Sequence, residues 1–253
     1  MDGEAAYGLW LNQKGKVVAD SFVVRQRENG FLVGSYHADS VNIHERLEAF
    51  IIADDVTLQD ETADWGGITF FSEISYGDLT GLLPGGIVFR GRRGIEPHWE
   101  WLAPKARWIS ARAGFATATE LSKSEMEMRR ITAAIPSIPQ DIGVSELPNE
   151  GGLDRDAVSY TKGCYLGQEV MARLKAMGQV RRRLVKVEGS VPLPSLPATL
   201  FTGDRQIGEL RSATETVDGF AGLALVTTMH VPKDRKVALC AGGSATIELQ
   251  LPV

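Results

Sequence analysis

The last third of the sequence carries the pattern that most limits the fold. From Arg183 onward, short apolar and β-branched runs alternate with Pro, Gly and Asp, and no helical periodicity interrupts them. The six runs are 184–187, 198–201, 207–210, 220–226, 236–239 and 245–251. Six short strands without a helix favour a small closed β-barrel, because closure leaves no unpaired strand edge. We therefore predict a domain boundary near Arg182.

The sequence ahead of this boundary mixes helix and strand patterns, which predicts an α+β fold. Apolar residues spaced i, i+4, i+7 and i+8 predict a helix over 40–53. A Ser-x-x-Glu capping box at Ser122 predicts a second helix, which should end near Ile135 because the following proline disfavours helix there. The strand patterns of this part lie at 7–11, 17–24, 31–33, 56–58, 68–71, 87–90 and 99–102.

Composition and charge exclude several classes of protein. A net charge of −5 does not favour general binding to nucleic acid, which is itself negatively charged. The two cysteines, Cys164 and Cys240, are too few for a disulfide framework, and the four histidines show no metal-ligand spacing. No uncharged apolar run approaches the ~20 residues that a membrane span needs. We therefore expect a cytoplasmic protein without a metal site or membrane segment, with Cys240 in the core of a barrel strand.

One octapeptide carries the strongest chemical signal. Residues 162–169 read Lys-Gly-Cys-Tyr-Leu-Gly-Gln-Glu and lead into a run of good helix formers. Gly163 and Gly167 allow a left-handed backbone or the close approach of a ligand. Lys162 and the start of a helix would both favour the thiolate of Cys164, so these two residues are the candidate catalytic pair. A buried structural cysteine in a tight turn is the alternative.

This octapeptide resembles the K-G-C-[FY]-x-G-Q-E signature of the YgfZ/IBA57 family, within the superfamily of the glycine-cleavage T-protein (GcvT). Every fixed position of the signature matches. Two weaker stretches agree: residues 11–20 resemble the family's strand–K-G-[RK]–strand element, and residues 130–141 resemble its R-I-x-x-G-x-P stretch. The resemblance implies a multi-domain α+β fold of the GcvT/YgfZ type, with a ferredoxin-like middle unit and a small C-terminal β-barrel.

On this resemblance we expect three domains. Residues 1–53 and 135–180 would form a discontinuous folate-binding α+β domain, residues 54–134 a ferredoxin-like α+β domain, and residues 181–253 the barrel. The implied cofactor is tetrahydrofolate, bound where the units meet, since ligand sites often lie at domain interfaces.

Three departures from the family pattern bear on this site. The family has a leading segment ahead of Tyr7, with a G-x-x-A-x-x-F-x-Q-G-Q-x-T-x-D-like motif that this sequence does not contain. Ala134 stands where glycine is usual, and residues 90–94 carry no acid where a T-protein loop has one for the pterin. We therefore expect an incomplete pocket and weak folate binding.

Five residues are candidate folate ligands. Asp20 occupies the position of an acid in a T-protein strand, and its carboxylate can accept hydrogen bonds from the amino and N–H groups of a pterin. Arg130 can hold the glutamate tail through a bidentate pair. Tyr165, Gln168 and Glu169 are assigned to the cofactor through their place in the signature. From chemistry alone, Asp20 also fits an exposed turn and Arg130 a contact with a helix dipole.

A basic run without any acid lies between residues 170 and 187. Its members are Arg173, Lys175, Arg181, Arg182, Arg183 and Lys186. On an acidic chain this predicts a local positive patch that attracts a folate tail, an acidic partner protein or a tRNA, unless it is only a solvated face. Direct tRNA binding is not favoured, because no RNP-like aromatic motif accompanies the run.

Three functions follow from the resemblance. The first is a tetrahydrofolate-binding factor of the YgfZ type that supports iron–sulfur cluster assembly or repair, and thereby tRNA-modifying iron–sulfur enzymes, with client or assembly proteins as partners. The second is an aminomethyltransferase of the T-protein class, and the third is a non-catalytic scaffold. The cysteine of the signature favours the first, because T-proteins have a Phe-Ile-Gly-like loop at that place. Whether the chain is an enzyme is left open.

Overall fold

Three antiparallel β-sheets organise the chain, which we describe from a computed structural model over residues 5–26, 30–178 and 180–251. The first sheet joins β1 (Ala6–Leu11), β2 (Val17–Arg25) and β3 (Phe31–Gly34) in that order. Helix α1 (Ser40–Glu48) follows and is capped by the Asp39 side chain, which accepts from the Val41 N–H. The helix was expected to reach residue 53, but Phe50 is exposed and therefore finds no core to extend it.

The middle sheet has the strand order of a ferredoxin-like unit. It is built from β4 (Trp65–Phe70), α2 (Tyr76–Leu82), β5 (Ile87–Arg90), β6 (Trp99–Pro104) and α3 (Lys105–Gly114). Strand β6 lies between β4 and β5 and is antiparallel to both, so these two are parallel and α2 is their crossover. The fully buried Leu79 and Trp101 lie in the core of this unit.

Two parts of this unit differ from the sequence prediction. Helices α2 and α3 were missed. Helix α2 contains Gly77 and Gly81 and so lacks the composition of a helix. The run 56–58 is not a strand, and its Val56 is exposed.

Helix α4 (Lys123–Thr132) begins at the predicted capping box: Ser122 accepts from the Glu125 N–H, and the Glu125 carboxylate accepts from the Ser122 N–H. Two residues after its end, Ala134 takes a left-handed backbone with a φ of +54°. This explains why the family usually has glycine there. The chain then continues without a long helix until α5 (Gln168–Met177), which begins directly after Gly167, as predicted.

The C-terminal part confirms the predicted six-stranded barrel. Its strands are β7 (Arg182–Gly189), β8 (Ala198–Thr202), β9 (Arg205–Thr216), β10 (Gly219–Thr227), β11 (Lys236–Val237) and β12 (Ile247–Gln250). They follow the order β11-β12-β7-β10-β9-β8, and a bridge between Phe201 and Ala238 brings the two ends of the sheet together. The barrel core includes Leu200, Leu210 and Phe220.

One barrel prediction was wrong. Cys240 is exposed rather than buried, because strand β11 ends at Val237 and the cysteine lies in the loop that follows. The three-domain division stays a prediction at the boundaries given above. Within the described residues, no helix has both the length and the apolar character to cross a membrane.

Candidate functional site

A cavity of about 300 Å³, which we call the Asp20 cavity, lies where the first sheet, the loop after β5 and helix α4 meet. Its lining is a mixture of aromatic, cationic and acidic side chains: Tyr7, Asp20, Tyr36, His37, Arg92, Arg93, Leu121, Lys123, Met126, Glu127, Arg130, Ile135 and Pro136. Two predicted folate ligands, Asp20 and Arg130, therefore line the same cavity although they lie more than a hundred positions apart in the chain.

The Asp20 carboxylate lies buried in the wall of this cavity, with 5% of the residue exposed. The Tyr7 hydroxyl donates to its Oδ2 at 2.9 Å, and the Ser35 hydroxyl donates to its Oδ1 at 2.6 Å. Burial, and next the charge of Asp20, raise the pKa of Tyr7 far above its ordinary value, so Tyr7 stays a donor at physiological pH. Because each carboxylate oxygen carries two acceptor sites, Asp20 can still accept further hydrogen bonds.

The Arg130 guanidinium is almost fully engaged within the protein. Its Nη1 donates to the Asp141 carboxylate at 2.7 Å and to the Ile135 carbonyl at 2.6 Å. Its Nε and Nη2 pair with the two oxygens of Glu127. The bidentate pair expected with a folate tail is thus already made with Glu127.

Asp141 extends this pairing into the barrel. The residue is fully buried, and its carboxylate also accepts from the Ser137 N–H at 2.8 Å and from the Ser212 hydroxyl at 2.6 Å. Ser212 belongs to strand β9, so one carboxylate joins α4, the segment after it and the barrel. Arg130 therefore serves to connect these parts as well as to line the cavity.

Tyr36 and Arg93 form a second wall that sequence reasoning missed. The Arg93 guanidinium lies 3.7 Å above the centre of the Tyr36 ring, and both side chains hydrogen-bond the buried Glu100 carboxylate. Burial, and next Glu100, raise the pKa of Tyr36 well above its ordinary value. On the far side of this wall lies a cavity of about 250 Å³, which Tyr36 and Arg93 also line. A charge between Trp99 and Trp101 in a strand pattern was the available signal for Glu100.

The signature octapeptide lies elsewhere, against the turn between β1 and β2. Gly167 has a φ of +84°, and a Cβ there would come within 2.9 Å of the Asn12 carbonyl oxygen and of the Gly15 Cα. Gly167 therefore meets the expectation of close approach. Gly163 does not, because its Cβ would have open space and its φ is not left-handed.

The candidate residues of the octapeptide are largely at the surface. Lys162, Cys164 and Glu169 are exposed, while Tyr165 and Gln168 are half-buried. The Lys162 ammonium lies 4.7 Å from the centre of the Tyr165 ring, and the Tyr165 N–H donates to the Gln168 amide oxygen at 3.1 Å. None of the five lines the Asp20 cavity. The expectation that Cys164 lies at or beside the central pocket is therefore not supported, because the turn of the hairpin, not the cavity, holds the loop.

One family model and several known proteins match parts of this chain. Residues 181–253 match the family of the CAF17 C-terminal beta-barrel domain. Human mitochondrial iron–sulfur cluster assembly factor IBA57 is 32% identical over 136 residues, which cover 51% of this chain and 37% of that protein. The tRNA-modifying protein YgfZ of Edwardsiella ictaluri is 34% identical over 132 residues, 50% of this chain and 38% of its own length. The chain is similar to IBA57 and YgfZ over about half of its length. The matched segment thus spans less than half of either relative.

The fold is also that of the T-protein. The crystal structure of the glycine cleavage system aminomethyltransferase T from Bartonella henselae matches 99% of this chain and 76% of that one, with a TM-score of 0.77 and 16% identity. At this identity the match concerns the fold alone. The GcvT-like α+β architecture expected from the sequence is confirmed.

Proposed function

We propose that this relative of IBA57 and YgfZ binds a reduced folate in the Asp20 cavity and serves iron–sulfur protein maturation through Cys164. The observation that carries the folate half is the buried Asp20 carboxylate, which faces a cavity and keeps acceptor sites free. A carboxylate in such a place suits the amino and N–H donors of a pterin ring. The cavity volume is at the low end of the ~300–1,000 Å³ that is usual for ligand pockets.

The other lining residues fit a folate as well. Tyr7 and Tyr36 supply aromatic surface for the ring, and Arg92, Arg93 and Lys123 supply cations for the carboxylates of its tail. Arg130 keeps Glu127 in place rather than holding the tail itself. A bound tetrahydrofolate would supply a carrier for one-carbon units, and the residues of this chain would orient it and exclude water from its ring.

The maturation half rests on the exposed thiol of Cys164. An exposed cysteine is accessible to a partner protein, and a thiolate is a soft ligand that suits iron–sulfur clusters. Two relatives are named a cluster assembly factor and a tRNA-modifying protein. We therefore assign client or assembly proteins to the loop of the octapeptide, and the folate to a separate cavity. Effects on tRNA modification would follow through iron–sulfur enzymes rather than through direct tRNA contact.

Anaerobic calorimetry with tetrahydrofolate tests the folate half. We expect saturable binding that Asp20→Asn weakens about tenfold or more, because one acceptor oxygen becomes a donor (~1.4 kcal/mol per tenfold). Asp218→Asn, in the exposed turn between β9 and β10, is the matched control and should bind as the parent does. Equal binding by the parent and Asp20→Asn, or no binding by either, would contradict the proposal of a folate site in this cavity.

Complementation of a strain that lacks its own homologue tests the maturation half. Cys164→Ala should fail to restore the activity of an iron–sulfur enzyme, whereas Cys240→Ala, at the other exposed thiol, should restore it. Full rescue by Cys164→Ala would end the proposal for this residue. Turnover in a glycine-cleavage assay with the lipoyl partner protein would assign the chain to the aminomethyltransferase class instead.

A further inference from the structure

A second polar cleft, of about 350 Å³, lies between the C-terminal half of α5, the start of β7 and the segment around residue 152. We call it the Arg183 cleft. It is separate from the Asp20 cavity, since the two share no lining residue. Part of the basic run noted in the sequence faces it: Lys175 and Arg183 line the cleft, and Arg155 joins them from the other side.

The three cations of the cleft are free of ion pairs within the described residues. Arg182, next in the chain, differs in that it pairs with Glu150 at 2.8 Å. The Lys175 ammonium lies 4.2 Å from the centre of the Tyr160 ring, which holds the charge at the edge of the cleft. Against these cations stands the single carboxylate of Asp154. The cleft therefore carries an excess of positive charge that suits a dianion.

An unpaired polar atom lies at the same place. The Asn149 side chain lines the cleft, and its Oδ1 is buried without a hydrogen-bond partner among the described residues. Buried acceptors are almost always paired, so this oxygen is open to a donor from a ligand, beside the Tyr160 side chain that contacts the same amide. Sulfate or a dicarboxylate dianion has no such donor, and inorganic phosphate has no O–H away from its charged group. An organic phosphate with hydroxyl groups has both a dianionic end and separate O–H donors.

We propose that the Arg183 cleft binds a small hydroxylated phosphate ester. The phosphate lies among Arg155, Lys175 and Arg183, and a hydroxyl of the organic part donates to the Asn149 Oδ1. Leu174 and Val180 supply the apolar wall against which the carbon chain packs. Binding weakens below pH ~6, where the phosphate dianion takes up one proton and loses half of its charge.

Calorimetry of the full chain with ribose 5-phosphate tests this site, and succinate is the carboxylate counterpart. Saturable binding of ribose 5-phosphate, at least ~10-fold tighter than that of succinate or inorganic phosphate, is the expected result. No saturable binding, or succinate binding as tight, would overturn the proposal. Displacement of ribose 5-phosphate by tetrahydrofolate would likewise overturn it, because the cleft would then hold a folate tail.

Matched variants separate the site from general surface charge. Arg183→Gln should weaken the binding of ribose 5-phosphate about 10-fold or more. Arg181→Gln removes the same charge two residues earlier, outside the cleft, and should leave the affinity unchanged. Asn149→Asp keeps the shape of the side chain but adds a negative charge, and it should abolish binding. Thermal unfolding midpoints show whether each variant is folded. If Arg183→Gln does not fold, Lys175→Gln, on an exposed position of α5, takes its place. Equal losses in Arg183→Gln and Arg181→Gln would contradict the proposal.

Discussion

The Asp20 cavity and the octapeptide loop around Cys164 are held in place by different kinds of contact, side-chain hydrogen bonds in the first and backbone packing in the second. Around the cavity, buried carboxylates are fixed by hydrogen bonds from side chains: Asp20 by Tyr7 and Ser35, and Asp141 by Arg130 and Ser212. The loop instead rests on backbone, where Gly167 packs directly against the turn at Gly15. The cavity is thus bordered by buried carboxylates that depend on side-chain partners, whereas the loop presents its thiol at the surface.

The octapeptide and the cavity are therefore two separate places, although we expected the motif to lie at the central pocket. The octapeptide is the most specific pattern in the chain, yet its side chains do not line the cavity. An ion pair links the cavity wall to the segment ahead of the loop: Arg92, in the wall, pairs at 2.8 Å with Asp156. The motif therefore lies apart from the cavity, and the cavity is lined by residues without a motif.

The buried pair beneath the cavity should show the largest effect. Asp141→Ala leaves the guanidinium of Arg130 and the hydroxyl of Ser212 without their shared partner, so we expect a loss of about 3–5 kcal/mol in the free energy of unfolding. Urea denaturation measures it. Glu120→Ala, which breaks the exposed pair with Arg112, is the control and should cost less than ~1 kcal/mol. A similar small loss in both variants would remove the contrast between buried and exposed pairs.

Gly167→Ala should have the next largest effect, because it forces a Cβ against the backbone of Asn12 and Gly15 at a left-handed φ. We expect a loss of about 1–3 kcal/mol and a displaced loop. Gly163→Ala, four residues earlier in open space, should change stability by less than ~1 kcal/mol. If the two variants unfold at the same urea concentration, the loop does not depend on this contact.

Tyr7→Phe removes one donor to Asp20 and should cost about 1 kcal/mol of stability. The same variant should weaken the binding of tetrahydrofolate, because the Asp20 carboxylate then keeps only the hydrogen bond from Ser35. Denaturation and calorimetry on one preparation measure both effects. Stability unchanged together with affinity unchanged would show that the Tyr7 hydroxyl does not position the carboxylate.

Ala134→Gly should act in the opposite direction, with a gain of about 0.5 kcal/mol. The left-handed φ of +54° strains an alanine, and glycine relieves this strain but adds freedom to the unfolded chain. A thermal unfolding midpoint that rises by about 1–2 °C is the expected readout. A fall in the midpoint would show that the alanine methyl makes contacts worth more than the strain.

Cys164→Ala should have the smallest effect on stability, within ~0.5 kcal/mol, since the thiol is exposed. A thiol reagent should label Cys164 in the folded protein. Cys240 is exposed too and cannot serve as a protected reference, so Cys240→Ser is the background in which the rate at Cys164 is measured. Labelling only after denaturation would place the thiol in the interior and end the contrast with the cavity.

Local features were well predicted from the sequence, since each depends on neighbours in the chain. The capping box at Ser122 and the helix start after Gly167 are set by residues within a few positions. The prediction for Cys240 was wrong for the opposite reason. An apolar run indicates that a strand exists, but the place where it ends depends on where its partner β12 stops pairing.

The sequence by itself determined the six barrel strands, the helices that carry clear start signals and the octapeptide with its glycine-led helix. Only the tertiary structure decided which polar residues meet. Ser212 reaches Asp141 across 71 positions and Tyr36 reaches Glu100 across 64. The physical reason is that a charged residue is stable in the interior only beside a partner. That partner is brought by packing of distant segments, which no spacing along the chain records.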